Sequence, residues 1–180
     1  PNGTSGPDSL FSKQELQGVL RCLEKGKAPG PDGVHNEFLR HLGPVAKSSL
    51  LVLCNRSWTT GIFPAQWKVA HIVPRHKRGK PMDEPQSYRP ISLTSAISKV
   101  LETMIAARLI FGWDTAGKLA PEQAGARQGR STVENIMKLV EGAHRALADE
   151  KPNVTLLVDF VKAFDKVPHN RLLLKLEEMG

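Results

Sequence analysis

The chain has 180 residues, 40% of them apolar, and a formal net charge of +7 from 25 basic and 18 acidic side chains. That is enough apolar material for a core, and the basic excess favours a polyanionic partner, nucleic acid being the commonest, with a merely basic soluble protein as the alternative. No apolar run approaches the roughly 20 residues that span a membrane, and no leader pattern opens the sequence, so no membrane partner is expected. Cys22 and Cys54 fit no metal-ligand spacing and read as reduced core thiols of an intracellular protein. The sequence opens on Pro1 and closes on Gly180 where a helix finishes, which reads as a piece of something longer.

Residues 1–9 are small, polar and turn-prone, a linker or frayed end. Ser12-Lys13-Gln14-Glu15 is a capping-box pattern. It opens a helix with Leu16, Val19, Leu20 and Leu23 on one face and Gly26 as its stop. Two prolines and three glycines from Gly26 to Gly33 forbid helix and central strand alike. That segment is a tight loop, either a plain connector or one whose backbone N–H groups meet phosphate. Helices are expected over 34–42 and 45–58, divided by Gly43-Pro44. The second carries Leu50, Leu51, Leu53, Cys54 and Trp58 for the core. A short strand over 69–74 leads into a basic stretch, with five Lys or Arg and no acid from Lys68 to Lys80. Such a run reads as a solvated hairpin tip.

A helix is expected over 95–110, with Ile97, Val100, Leu101, Met104 and Leu109 inward and Arg108 solvated or facing nucleic acid. A loop follows over 112–120. Ser131-Thr132-Val133-Glu134 is a second capping box, starting a helix with Val133, Ile136, Met137, Val140 and Leu147 on one face. Residues 154–158, VTLLV, read as a strand buried on both faces. The run ends in Asp159, with Asp165 six residues on. A charge at the end of a buried strand needs a cation, a donor or water. By spacing alone, Asp159 is a candidate metal ligand or simply the point where the strand surfaces. Residues 172–179 form a last helix with Gly180 as its cap, and His169 reads as a capping residue before a ligand or base.

The string VDFVKAFDKVPH resembles the first catalytic motif of reverse transcriptases of the non-LTR (LINE-type) retrotransposon branch, Asp-x-x-x-Ala-Phe-Asp-x-Val. KGKAPGPDGVHNEFL, GIFPAQWK, the strand end before YRPISL, and QAGARQGRST are similar to further strings of that family. His76 stands where the family usually has an apolar residue or proline, and Val161 where it is usually polar. Ala126 stands where it has Phe. An aromatic lost from a tight core costs about 3–5 kcal/mol, so Ala126 hints at a decayed copy.

The resemblance implies an α+β fold. Mostly helical fingers with a small antiparallel hairpin would occupy 10–150, and the first strand and helix of a polymerase palm 151–180. It implies an RNA-directed DNA polymerase, a nucleotidyltransferase, adding deoxynucleotides to a DNA primer on an RNA template. Two Mg²⁺ ions, or Mn²⁺ in their place, would stand roughly 3.5–4 Å apart. Asp159 would be the catalytic carboxylate and a metal ligand, joined by the carbonyl of Phe160. Lys77 and Arg89 would clamp the triphosphate, Arg as a planar fork and Lys as a point charge. Phe164 would be the gate against a 2′-hydroxyl, and Asp165 would anchor the turn. Lys25, Lys27 and Asp32 would lie toward the template, and Arg75, Arg78, Arg127 and Arg130 toward nucleic-acid phosphates. The family's Tyr-x-Asp-Asp string does not occur in these residues, so the chain alone is not expected to polymerise. A palm strand without partners would also limit its solubility. The alternative is a nucleic-acid-binding remnant without catalysis. The family's place of action is the nucleus.

Overall fold

Ser12 caps the first helix, α1 (Lys13–Cys22), with both bonds of the box: Glu15 N–H donates to Ser12 Oγ at 3.2 Å, and Ser12 N–H to Glu15 Oε2 at 2.7 Å. The computed structural model describes residues 8–127 and 129–179, so most of the expected 1–9 linker and the Gly180 cap lie outside the described residues. The fold is α+β, with six α-helices and one two-stranded antiparallel sheet among those residues. The chain divides into two compact units, Pro1–Leu109 and Ile110–Gly180.

In the first unit α1 ends ahead of Gly26. Arg40, the last residue of α2 (Asn36–Arg40), donates to the carbonyls of Arg21 and Leu23 and so supplies a side-chain cap. Helix α3 (Pro44–Thr60) starts with Pro44 after Gly43 and stops at Gly61, whose φ of +67° is free of strain only without a Cβ. Ser57 Oγ donates to the Ile62 carbonyl at 2.7 Å. The turn that follows buries Trp67 edge-on against Phe63, centroids 5.4 Å apart. Helix α4 (Ala96–Thr115) supplies Val100, Leu101 and Met104 to a core shared with Phe11, Leu16, Leu20, Leu39, Leu50 and Cys54. It runs five residues past the expected end at 110, through Gly112.

Three expectations for this unit are corrected. Cys22 is exposed, not a core thiol, because it falls off the Leu16/Leu20 face of α1; Cys54 is buried as expected. Leu53 of the α3 stripe also faces outward. Arg108 is neither solvated nor turned to nucleic acid. Its guanidinium bonds Glu15 at 2.8 Å, donates to the carbonyls of Ser9 and Leu10, and stacks 4.2 Å over the Phe11 ring. Asn55 completes the tie: its Oδ1 accepts from Phe11 N–H at 2.7 Å and its Nδ2 donates to the Phe11 carbonyl at 3.1 Å.

The second unit holds α5 (Thr132–Ala148) and α6 (His169–Met179). The capping box expected at Ser131 does not form. The Glu134 carboxylate takes Arg130 at 3.1 Å instead, and Ser131 offers only its backbone carbonyl. The apolar face of α5 is present but exposed. Residues 154–158 form no strand, and Leu157 is 86% exposed. A strand needs a hydrogen-bonding neighbour, and the two strands among the described residues pair only with each other. The expected buried strand is therefore absent: among the described residues no neighbouring strand pairs with 154–158.

Candidate functional site

Two paired elements bring two arginines into register, β1 (His71–His76) and β2 (Tyr88–Leu93). Their register pairs His71 with Leu93, Val73 with Ile91, Arg75 with Arg89, and His76 with Tyr88. Side chains alternate along a strand and directly opposed residues share a face. One face therefore holds Val73, Ile91, Arg75 and Arg89, and the other His76 and Tyr88. The His76 and Tyr88 rings meet edge-on with centroids 5.2 Å apart. His76 Nε2 also lies 2.9 Å from the Lys80 carbonyl, and Tyr88 Oη donates to the Met82 carbonyl at 2.8 Å. The histidine that departs from the family pattern thus ties down its own turn. Just past β1, Lys77 N–H donates to the Ser87 carbonyl at 2.7 Å and its Nζ to the Gln86 carbonyl at 2.6 Å. Among the described residues the side chains of Arg75, Arg78 and Arg89 have no hydrogen-bond or ion-pair partner, and all three are exposed.

The loop after α1 is fixed to the base of this hairpin. A Cβ on Gly30 would stand 2.5 Å from the carbonyl carbon and oxygen of Thr94 and 2.6 Å from Ser95 N, where β2 passes into α4. Only a residue without a side chain admits that approach. Ser95 Oγ accepts from Ile97 N–H at 3.1 Å and starts α4. On the loop itself, Lys27 pairs with Glu24 at 2.6 Å and Asp32 Oδ1 accepts from Val34 N–H at 3.1 Å. Gly26 N–H donates to Glu37 at 2.5 Å, a bond that holds the Glu37 carboxyl below the usual carboxylate range. Neither the Gly30 contact nor the Arg75–Arg89 register was predicted from sequence. A buried glycine between two prolines is the signal for the first; the second needs the hairpin's loop length resolved.

In the second unit Asp159, Phe160, Phe164 and Asp165 lie on one irregular, exposed segment. It curls through Lys162 at φ +54° into a short 3₁₀ turn over Phe164–Lys166. Phe160, Val161, Ala163, Lys166, Val167 and Pro168 line a shallow depression there. Phe164 is 96% exposed. Backbone bonds from Lys166 N–H to the Lys162 carbonyl (3.1 Å) and from Val167 N–H to the Phe164 carbonyl (3.5 Å) hold the turn. The Asp165 carboxylate, expected to anchor it, has no hydrogen bond among the described residues. Asp159 and the Phe160 carbonyl are hard oxygen donors of the type Mg²⁺ takes. No group of three or more His, Cys, Asp or Glu able to hold a metal occurs among the described residues.

The remaining arginines differ in availability. Arg130 is half-exposed and paired with Glu134. Arg127 has a side chain only 8% exposed; it bonds Asp114 and donates to the Ala120 carbonyl at 2.9 Å. Its guanidinium closes a loop. Ala126, beside it, is exposed at φ +57°. The cavity expected from its missing aromatic ring is absent, because the position is an outward-facing turn and not core.

Residues 75–180 match the family described as Reverse transcriptase (RNA-dependent DNA polymerase). The chain is 37% identical over 179 residues to the Probable RNA-directed DNA polymerase from transposon BS of Drosophila melanogaster, covering 99% of this chain and 20% of that protein. To the Probable RNA-directed DNA polymerase from transposon X-element of the same organism it is 37% identical over 172 residues, 96% of this chain and 19% of that protein. To the RNA-directed DNA polymerase from mobile element jockey, also of Drosophila melanogaster, it is 32% identical over 179 residues, 99% of this chain and 20% of that protein. The chain thus spans about a fifth of the length of the curated relatives it matches. No helix among the described residues is long and apolar enough to cross a membrane. Because the family match runs over residues 75–180, more than half of the chain, the chain belongs to the reverse transcriptase (RNA-dependent DNA polymerase) family, in its LINE-type, non-LTR retrotransposon branch.

Proposed function

We propose that the full-length protein containing this chain is an RNA-directed DNA polymerase that adds deoxynucleotides to a DNA primer on an RNA template, acting in the nucleus. The observation that carries the reading is that one family match, over residues 75–180, includes Lys77, Arg89 and Asp159 together. In the reaction a primer 3′-hydroxyl attacks the α-phosphate and pyrophosphate leaves. Asp159 and the Phe160 carbonyl would hold Mg²⁺, which supplies charge neutralisation at the phosphates. The fingers are residues 10–150 and the palm begins at 151. Arg89 grips phosphate oxygens through its planar fork. Lys77 reaches them by releasing the Gln86 carbonyl, a neutral acceptor that binds an ammonium less strongly than phosphate does. The exposed Phe164 ring is free to lie under the sugar and reject a 2′-hydroxyl. Lys25, Lys27, Arg78 and Arg130 meet backbone phosphates, Lys27 and Arg130 by leaving exposed ion pairs that are worth little. Arg127 serves by holding its loop.

Primer extension by the full-length protein tests this. Asp159→Asn should lower incorporation by about a thousandfold, the size of loss when a principal charge-stabilising group is removed. Phe164→Val should admit ribonucleotides. Unchanged extension in the Asp159 variant would overturn the assignment.

A further inference from the structure

Arg75 and Arg89 are direct cross-strand partners on β1 and β2. Opposed Cα atoms in an antiparallel pair stand roughly 4.5–5.5 Å apart, with side chains projecting from the same face. Like charges placed this way oppose folding. Among the described residues neither guanidinium has an acidic partner to relieve the pair. Lys77 follows Arg75 by two positions, and its ammonium rests on a neutral carbonyl. The opposite face is occupied by the His76–Tyr88 contact and its turn bonds. Among the described residues the hairpin therefore carries, on one face, a pair of planar cations with no acidic partner.

We propose that Arg75 is the second arm of a two-guanidinium fork with Arg89 that grips the polyphosphate of the incoming nucleotide, and not a contact to a nucleic-acid backbone. The proposal rests on the nucleotide-binding reading of Arg89 given above. Charge density favours the nucleotide. A backbone presents one negative charge per nucleotide, whereas a triphosphate concentrates several within one short chain. Two forks that repel each other across a single strand spacing gain most from an anion that neutralises both at once.

The test uses the 180-residue chain titrated with inorganic triphosphate in metal-free buffer at low salt, and separately with a short single-stranded oligonucleotide. Arg75→Gln and Arg89→Gln should each weaken triphosphate binding about tenfold, the loss of one charge-assisted contact. Without any anion, each should raise the thermal midpoint, because the opposed charges are gone. A merely structural arginine would move the midpoint the other way. If Arg75→Gln binds triphosphate like the unsubstituted chain while Arg89→Gln does not, Arg75 is no part of the fork and this inference alone falls. Loss of oligonucleotide binding in Arg75→Gln with triphosphate binding intact likewise overturns it in favour of a backbone contact. If neither substitution affects triphosphate binding, or the unsubstituted chain does not bind it, the nucleotide-binding reading of Arg89 falls as well.

Discussion

Arg108 ties separate segments of the first unit to one another. It joins α4 to the capping box of α1 through Glu15 and to the preceding segment through the carbonyls of Ser9 and Leu10. Replacing it with Met keeps the stem over Phe11 and removes the charge-assisted bonds. We expect a loss of about 2 kcal/mol of unfolding free energy, measured by urea denaturation. The pH dependence has a definite sign. The Arg108 guanidinium holds the Glu15 carboxyl below the usual carboxylate range, against a smaller opposing effect of burial. A carboxyl depressed in the folded state contributes stability above its ordinary value and loses it as pH falls through the folded value. Stability should therefore decline on acidification below the ordinary glutamate range, and Arg108→Met should flatten that decline. None of this was legible in the sequence. Helical spacing puts Arg108 one turn beyond Met104, on the Val100–Leu101–Met104 face, but its charge argues for an outward or nucleic-acid-facing position. The partner that draws it inward, Glu15, lies more than ninety residues away on another helix, and nothing local to α4 announces the pairing.

At the scale of elements, what was legible followed local chemistry. The Ser12 box, the Gly43-Pro44 break and the strand leading into YRPISL are short-range signals, and each has its counterpart in the structure. What failed needed a partner: the 154–158 strand, the inner face of α5 and the second capping box, whose glutamate prefers an arginine one turn away. Two glycines of one loop separate packing from backbone freedom. Gly30→Ala drives a Cβ into Thr94 and Ser95 backbone and should cost about 1–3 kcal/mol by overpacking. Gly33→Ala meets open space but sits at φ +66° and should cost about 1 kcal/mol through backbone strain. Thermal melts of the two variants check the ranking. A larger loss in Gly33→Ala would mean that the loop is not seated on the start of α4.

For the whole molecule, the two units differ in how much apolar surface they enclose. The first has a core of eleven buried residues. The second leaves Val154, Leu156, Leu157 and Phe160 exposed, together with the apolar face of α5. Backbone amides over 154–158 form no hydrogen bonds among the described residues, so in the isolated chain they should exchange with deuterium at unprotected rates while α1 and α4 stay protected. Protection of 154–158 in the full-length protein would mark the missing pairing. The two thiols offer a way to follow the first unit alone. Cys22 is exposed, while Cys54 is fully enclosed and its thiol is pushed up to about 11 by burial. Since thiolate is the reactive form, a brief pulse of maleimide should add one label to the native chain and two once the first unit opens. A mass spectrum would then count unfolded molecules directly.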